Sequence, residues 1–381
     1  MQIDIPLYRR VSDKIEKYQS KYKGYINEFR NILGKRNLDL RYLYYTLRSL
    51  RIYDELRYTT VADDSIKIIL SSQLREGDNI IIKDIYRGVK EEKIITGYSE
   101  GGFPDKIRDN RKYIHSEAPS IDTTIYSLQS IAEYSNHLQY WDNSIDEALR
   151  RGLDYLKLRD SNKDGLLEQS KGEDWIPLLE RNGTLLYINA LYLKLLEDLY
   201  YLYIDKDRDY SRYIRESYIR VYRVLEDLFW MDGMYIEYIN SGGAMVLRAG
   251  VDSSTAVRPI IMREGGKTYN HLKNLYDRLY EPHINILLSS EARVKVNPED
   301  RNLYKIVTPL QTAIYAMDTA EIGYPNLALK ILDTVFPYSK YELILIDNNY
   351  RVIPKERNRN TTLGIILITT YKIISEAIKG G

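Results

Sequence analysis

Cysteine is absent from the 381 residues of this chain, and histidine occurs only four times. The absence of cysteine excludes disulfide bonds, cysteine nucleophiles and zinc sites built on thiolates. The four histidines do not show the paired spacing of a zinc-binding helix. We therefore expect neither a metal site nor a cofactor.

Excess charge of one sign and long hydrophobic runs are also lacking. Lysine and arginine total 55 against 54 aspartates and glutamates, so the whole chain does not attract nucleic acid or an anionic membrane. The N-terminus has no apolar core of a secretion signal, and the apolar run at residues 363–369 is too short to span a bilayer. These features predict a soluble cytoplasmic protein that binds neither nucleic acid nor membrane. The composition, with 29% charged residues and 37 tyrosines, is typical of a thermophile.

The dominant pattern is apolar residues at helical spacing. About a dozen such segments follow one another at intervals of roughly 25–30 residues, and clusters of glycine, proline, asparagine and aspartate separate them. Helical hairpins in such a series pack as antiparallel neighbours and can close into a ring. The predicted fold class is all-α, an (α/α)6 toroid at residues 59–381 preceded by a helical cap at residues 1–58.

One loop has a partial calcium-binding pattern. Asp160, Asn162, Asp164 and Gly165 match the start of an EF-hand loop, but Lys171 occupies the position of the bidentate glutamate. We therefore interpret this loop as a turn between helices, with calcium binding as the alternative.

The segment at residues 165–175 has a different character, because Glu173 and Asp174 directly precede Trp175 in a loop bounded by glycines. A sugar site needs an aromatic face against pyranose C–H groups, and carboxyl groups that bind hydroxyls or donate a proton. The alternative is a buried tryptophan beside two solvated acids at a helix N-terminus.

Several strings, taken together, resemble the amylo-α-1,6-glucosidase domain of glycogen debranching enzymes, over about residues 59–365. In chain order they are Val61-Ala-Asp63-Asp64-Ser65, Gly101-Gly-Phe-Pro104, Tyr113-Ile-His-Ser-Glu117-Ala-Pro119, Asp164-Gly-Leu-Leu, Glu173-Asp174-Trp175 and Tyr187-Ile-Asn189-Ala-Leu-Tyr192. The resemblance implies a six-hairpin, glucoamylase-like glycosidase that hydrolyses α-glucosidic bonds in an oligosaccharide or α-glucan, with inversion.

The same resemblance implies roles for individual residues. Asp174, or failing that Glu173, would be the general acid, and Glu342 in a late segment would be the general base. The residues implied in substrate binding are Asp64, Tyr113, Glu117, Trp175 and Asn189.

The chain departs from the family pattern at several positions. Pro177 occupies the position of the family's general acid, Asp63 replaces an arginine and Thr308 replaces a tryptophan. These substitutions favour a second hypothesis, a helical sugar-binding protein with weakened catalysis. A third hypothesis is a helical interaction protein that exposes aromatic residues on its outer face.

Overall fold

The computed structural model describes most of the chain after residue 37. The described residues are 6, 9, 12, 13, 38–53, 55–83, 90–95, 97–176, 178–263, 265–296, 302–357 and 362–379. No helix among them is both long and apolar enough to cross a membrane.

Helices form most of the regular structure in this part of the chain. They are α1 (Leu40–Tyr53), α2 (Glu55–Ser72), α3 (Ile121–Leu138), α4 (Asn143–Leu158), α5 (Leu186–Tyr203), α6 (Arg208–Phe229), α7 (Gly265–Leu279), α8 (Pro309–Glu321), α9 (Pro325–Val335) and α10 (Thr362–Lys379). A 3₁₀ segment, Val251–Val257, precedes α7. The boundary expected between residues 58 and 59 falls inside α2.

Burial separates the helices into two layers. Most side chains of α5 are buried on every side of the helix, as expected for a helix without a solvent face. On α6 the buried residues are Ser211, Ile214, Val221, Leu225 and Phe229, which follow a single stripe. Helix α5 therefore lies inside the molecule, and α6 covers it from outside.

The inner elements contact one another in a closed series. Helix α1 packs on α3, α3 on α5, α5 on the 3₁₀ segment, that segment on α8, α8 on α10, and α10 on α1. The remaining helices pack on this series from outside, and one continuous apolar cluster fills the space between the layers.

The predicted all-α class, an (α/α)6 toroid, is wrong because the described residues also form five β-sheets. Their strands are β1 (Leu38–Asp39), β2 (Asn79–Lys83), β3 (Lys90–Ile94), β4 (Lys106–Arg108), β5 (Arg111–Ile114), β6 (Glu168–Gln169), β7 (Gly183–Leu185), β8 (Trp230–Met231), β9 (Met234–Tyr235), β10 (Tyr238–Asn240), β11 (Met245–Val246), β12 (Tyr280–Glu281), β13 (Ile286–Leu287), β14 (Arg293–Val294), β15 (Tyr304–Val307), β16 (Tyr341–Ile346) and β17 (Val352–Arg357). Strands of two to six residues are too short for alternation to be read from the sequence. One inner element is also a 3₁₀ segment rather than an α-helix.

Three of the sheets join the N-terminal ends of inner elements. The sheet β1-β4-β5-β2-β3 links the segments that precede α1 and α3. The sheet β11-β10-β7-β6 links the segments that precede α5 and the 3₁₀ segment. The sheet β14-β15-β16-β17 links the segments that precede α8 and α10. In the first of these sheets β2 and β5 run parallel, while neighbouring strands of the other two sheets pair antiparallel. The strands therefore place the long connections at one end of the helical ring, which we call the sheet end.

Candidate active site

The loop that carries Trp175 is held at its base and at its tip. At the base, Gln169 of β6 pairs with Gly183 of β7. Gly183 has φ +112°, and a Cβ there would lie 2.3 Å from the carbonyl oxygen of Ile239, so only glycine fits. At the tip, Ile176 and Leu179 pack against an apolar face of the β14–β17 sheet. The loop therefore presents residues 173–175 in a fixed position at the sheet end.

Trp175 sits in a cluster of aromatic rings contributed by three inner helices. Its ring centroid lies 6.0 Å from that of Tyr45 on α1, 5.8 Å from that of Tyr126 on α3 and 6.1 Å from that of Tyr187 on α5. The guanidinium of Arg41 lies 6.0 Å from the indole centroid. Since Trp175 itself is only half-buried, it offers an aromatic surface at the sheet end.

Glu173 is a buried acid with one arginine partner. Its two carboxylate oxygens accept hydrogen bonds from Arg159 Nη2 at 2.9 and 3.1 Å, and its side chain is 1% exposed. Burial raises the pKa of Glu173 to about 7, although Arg159 acts to lower it. Near neutral pH this carboxyl group therefore exists in both protonated and ionised forms.

Asp174 is held more tightly than Glu173. Arg181 donates to its two oxygens, Nε to Oδ2 at 2.6 Å and Nη2 to Oδ1 at 2.7 Å, and Oδ1 also accepts from the Ile176 amide. Arg181 further binds Glu237 Oε1 at 2.9 Å and Asp252 Oδ2 at 2.7 Å. Burial raises the pKa of Asp174 while Arg181 lowers it. Arg181 thus joins three buried carboxylates in one network.

A third arginine, Arg41, also pairs with buried acids near Trp175. Arg41 binds Asp122 through Nη2 at 3.0 Å and lies 3.6 Å from Asp105. Burial raises the pKa of Asp122 to about 6, against the lowering effect of Arg41. The tyrosine hydroxyl of Tyr187 donates to Asp122 Oδ2 at 3.2 Å. Asp122 is therefore a second buried carboxyl group with a raised pKa beside the aromatic cluster.

Hydrogen bonds join the hydroxyl groups of the three tyrosines in this aromatic cluster. Tyr126 bridges Tyr187 at 3.2 Å and Tyr45 at 2.8 Å, and Arg258 donates to the hydroxyl of Tyr45 at 3.1 Å. Arg258 is held in turn by Asp318 at 2.7 Å. This chain of hydroxyl groups connects Asp122 with Arg258, which follows the 3₁₀ segment.

Glu342 is half-buried on β16. Leu343 and Leu345 of this strand contact the cluster around the loop of Trp175, whereas Ile344 and Ile346 belong to the main core. Since side chains alternate along a strand, Glu342 shares the face of Ile344 and points toward the helical ring. Its strand precedes α10 in the chain, so it lies at the sheet end.

The other predicted binding residues are placed differently. Asp64 is exposed on the outer helix α2, Glu117 is exposed in the loop before α3, and Tyr113 is half-buried on β5. The structure does not bring Asp64 together with Asp174, and the roles of these three residues stay predictions.

Asn189 is fully buried on α5. Its Oδ1 accepts from the Leu167 amide at 2.7 Å, and its Nδ2 donates to the carbonyls of Leu167 and Leu185 at 3.0 Å each. These bonds satisfy both donor hydrogens of the amide. Asn189 therefore ties the main chain before β6 to the first turn of α5, and its contact with substrate stays a prediction.

Two further predictions concern residues on either side of β6. Pro177, which occupies the family's acid position, lies outside the described residues. Asp160 Oδ2 accepts from the Gly165 amide at 3.0 Å, as in a closed turn. Among the residues that the structure describes, no group of histidines and acids is arranged to hold a metal ion.

Sequence reasoning missed Arg41, Asp122, Arg181 and Glu237 as members of the candidate site. Asp122 had one local signal, since it lies in the first turn of α3, where a carboxylate is favourable. The others are recognisable only from the tertiary contacts that bury them.

No protein-family model and no curated protein matches the chain. Solved structures do: a variant of a protein named glycosidase aligns with a TM-score of 0.61 at 12% identity, over 99% of each chain. Another variant of a protein of that name, in complex with glucose, aligns with a TM-score of 0.60 at 11% identity, also over 99% of each chain. A GH76 α-mannanase from Bacteroides thetaiotaomicron has a TM-score of 0.53 at 11% identity, over 94% of this chain and 97% of its own. The chain therefore has a glycosidase fold, and the narrower amylo-α-1,6-glucosidase family stays a prediction.

Proposed function

We propose that this protein is a glycoside hydrolase that cleaves α-glucosidic bonds of an oligosaccharide at the sheet end. The observation that carries the proposal is the buried carboxyl group of Glu173, held by Arg159 and two residues from the half-buried Trp175. Burial raises the pKa of Glu173 to about 7. The glycosidase fold supports it. The glucose complex of one structural neighbour supports a glucose unit as the sugar.

In the proposed reaction, the sugar at the cleavage point packs its C–H face against Trp175. Glu173, in its protonated form, donates to the departing glycosidic oxygen while the bond from that oxygen to C1 breaks. A pKa near 7 suits this step, because a useful fraction of the carboxyl group then carries a proton at neutral pH. Arg159 holds the Glu173 carboxyl group before the substrate binds.

Glu342 is the proposed general base. It would take a proton from a water molecule, whose oxygen then attacks C1 from the face opposite the departing oxygen. Carboxyl groups about 6.5–9.5 Å apart leave room for that water and give inversion at C1. The position of Glu342 on the ring-facing side of β16 supports this role.

Asp174 is the alternative acid, and it is the weaker candidate. Both of its oxygens are bound by Arg181, which also holds two other carboxylates. Proton donation from Asp174 would require part of that network to separate. We therefore place Asp174 second and Glu173 first.

The direct experiment is turnover of maltose, isomaltose and maltotriose, with the anomer of the released glucose followed by proton NMR. We expect β-glucose as the first product, since inversion at an α-bond produces it. Glu342→Gln should lower kcat by at least about a hundredfold. Release of α-glucose would contradict inversion, and an unchanged rate in Glu342→Gln would exclude this residue as the base.

A second function, sugar binding with weakened catalysis, is favoured by one observation. The side chains of Glu173 and Asp174 are each 1% exposed and each is bound to an arginine. Calorimetry with maltooligosaccharides, run beside a reducing-sugar assay, separates the two functions. Binding without product supports the sugar-binding protein, and product formation excludes it.

A further inference from the structure

A cleft of about 530 Å³ opens beside Arg159 at the sheet end. Its volume falls within the range of about 300–1,000 Å³ that is usual for small-molecule sites. We propose that this cleft binds the leaving saccharide, and hence that the substrate is an uncharged oligosaccharide rather than a monosaccharide glycoside. This inference rests on the proposed hydrolase function.

The walls of the cleft come from the end of α4 and from the β6–β7–β10 region. Half of the ten lining residues have neutral polar side chains, which suit sugar hydroxyls because hydroxyl and amide groups both donate and accept. These neutral groups are Ser161, Gln169, Ser170, Asn182 and Ser241.

The charged groups of the lining are engaged with other groups. Lys171 is paired with Glu180 at 2.6 Å, and Glu168 accepts a hydrogen bond from Ser161. Arg159 is bound to Glu173. Both cations of the lining are thus paired with acids, and Glu168, whose partner here is the neutral hydroxyl of Ser161, adds a negative charge. The cleft therefore disfavours an anionic ligand, and this favours an uncharged saccharide.

The position of the cleft relative to Glu173 indicates which part of the substrate the cleft binds. Arg159 lines the cleft, where its Nη2 donates to Ser170 Oγ at 3.2 Å, and the same nitrogen binds Glu173. Glu173 in turn is two residues from Trp175. A general acid must lie at the oxygen between the retained sugar and the leaving group. With the retained sugar at Trp175, the leaving saccharide falls on the Arg159 side.

The far wall of the cleft offers groups that can be changed without touching the acid. Asn182 Nδ2 donates to Ser241 Oγ at 3.3 Å across the β7–β10 pair, and Ser241 is exposed. The β7–β10 pairing of Gly183 with Asn240 fixes the spacing of these two side chains. Both amide and hydroxyl can exchange their mutual bond for bonds to a sugar.

The experiment compares two substrates that share the glucose unit but differ in leaving group, maltotriose and α-glucosyl fluoride. In Asn182→Ala/Ser241→Ala, we expect kcat/KM for maltotriose to fall about tenfold, as for two lost neutral hydrogen bonds. Hydrolysis of α-glucosyl fluoride, whose leaving group has no hydroxyl, should be unchanged. Ser241→Trp, which fills the cleft, should impair maltotriose more strongly. The matched control is Asn136→Ala/Ser217→Ala, on the exposed end of α3 and on α6, which should leave both substrates unaffected.

Equal loss on both substrates, or no loss on either in both cleft variants, would overturn the inference while leaving the hydrolase function in place. If the wild-type protein hydrolyses neither substrate, the hydrolase function fails instead. The cleft is then tested by calorimetry with maltotriose: tenfold weaker binding in the double variant supports a saccharide site, and equal binding excludes it.

Discussion

Glu173 and Asp174 are neighbours in the chain, and their side chains are equally buried, but each meets a different arginine. Glu173 is bound through a single nitrogen of Arg159, which is 10% exposed. Asp174 is bound through two nitrogens of Arg181, which is 2% exposed and also holds Glu237 and Asp252. Glu173 thus forms an ion pair with one arginine, whereas Asp174 shares its arginine with two other carboxylates.

The difference indicates a division of roles between adjacent acids. A carboxyl group with one charged partner can gain a proton and leave the arginine without disturbing other charges. Protonating a member of the Arg181 network would change the balance among three carboxylates at once. In the proposed function, proton transfer therefore falls to Glu173, and Asp174 stabilises the loop.

The largest effect is expected from removing the proton of the proposed acid. Glu173→Gln should lower kcat for maltose by about 10²–10⁴-fold, the usual contribution of general acid catalysis. Steady-state kinetics with circular dichroism as a check on folding would measure this. Asp174→Asn is the matched control and should lower kcat less than tenfold. The reverse order of the two effects would assign the acid to Asp174.

Breaking the Arg181 network should mainly affect stability. Arg181→Met leaves three buried carboxylates without their shared cation, which should cost about 3–5 kcal/mol of the free energy of unfolding. Urea denaturation measures this loss. The exposed pair of Arg278 with Glu291 supplies the control, since Arg278→Met should cost at most about 1 kcal/mol. Similar losses in both variants would show that the Arg181 network is not a special source of stability.

The pH dependence of turnover should follow Glu173. This carboxyl group must be protonated to donate, so kcat should fall as the pH rises through about 7. Because Arg159 lowers the pKa of Glu173, Arg159→Met should move the loss of activity upward by about one pH unit or more. Arg159→Lys, which keeps the charge, should move it less. If the pH–kcat profile is the same in the wild type and in both Arg159 variants, Glu173 is not the group whose proton transfer limits the rate.

Part of this arrangement was predictable from the sequence. The adjacency of Glu173, Asp174 and Trp175 is local, so the sequence alone could single out this loop, while the roles of the three residues stay predictions. Helical periodicity likewise revealed the helices, because each has many turns over which the pattern repeats. Strands of two to six residues have no such repetition, and this explains why the all-α class was wrong.

The partners of the two acids could not be predicted in the same way. Arg41, Arg159 and Arg181 are three among 55 basic residues, and nothing in their neighbouring sequence distinguishes them from surface cations. Only the folded chain shows that they are buried against carboxylates from distant segments. The preference for Glu173 over Asp174 depends on these contacts, so it required the structure.

The smallest effect is expected from removing one hydroxyl of the tyrosine chain, whose hydrogen bonds involve neither Glu173 nor Asp174. Tyr126 links Tyr187 to Tyr45, but Tyr187 still binds Asp122 and Tyr45 still binds Arg258 when the central hydroxyl is removed. Tyr126→Phe should therefore cost about 0.5–1.5 kcal/mol in urea denaturation and leave the pH–kcat profile unchanged. A shift of that profile would mean that proton transfer also depends on Asp122, and the contrast between Glu173 and Asp174 would then describe only part of the site.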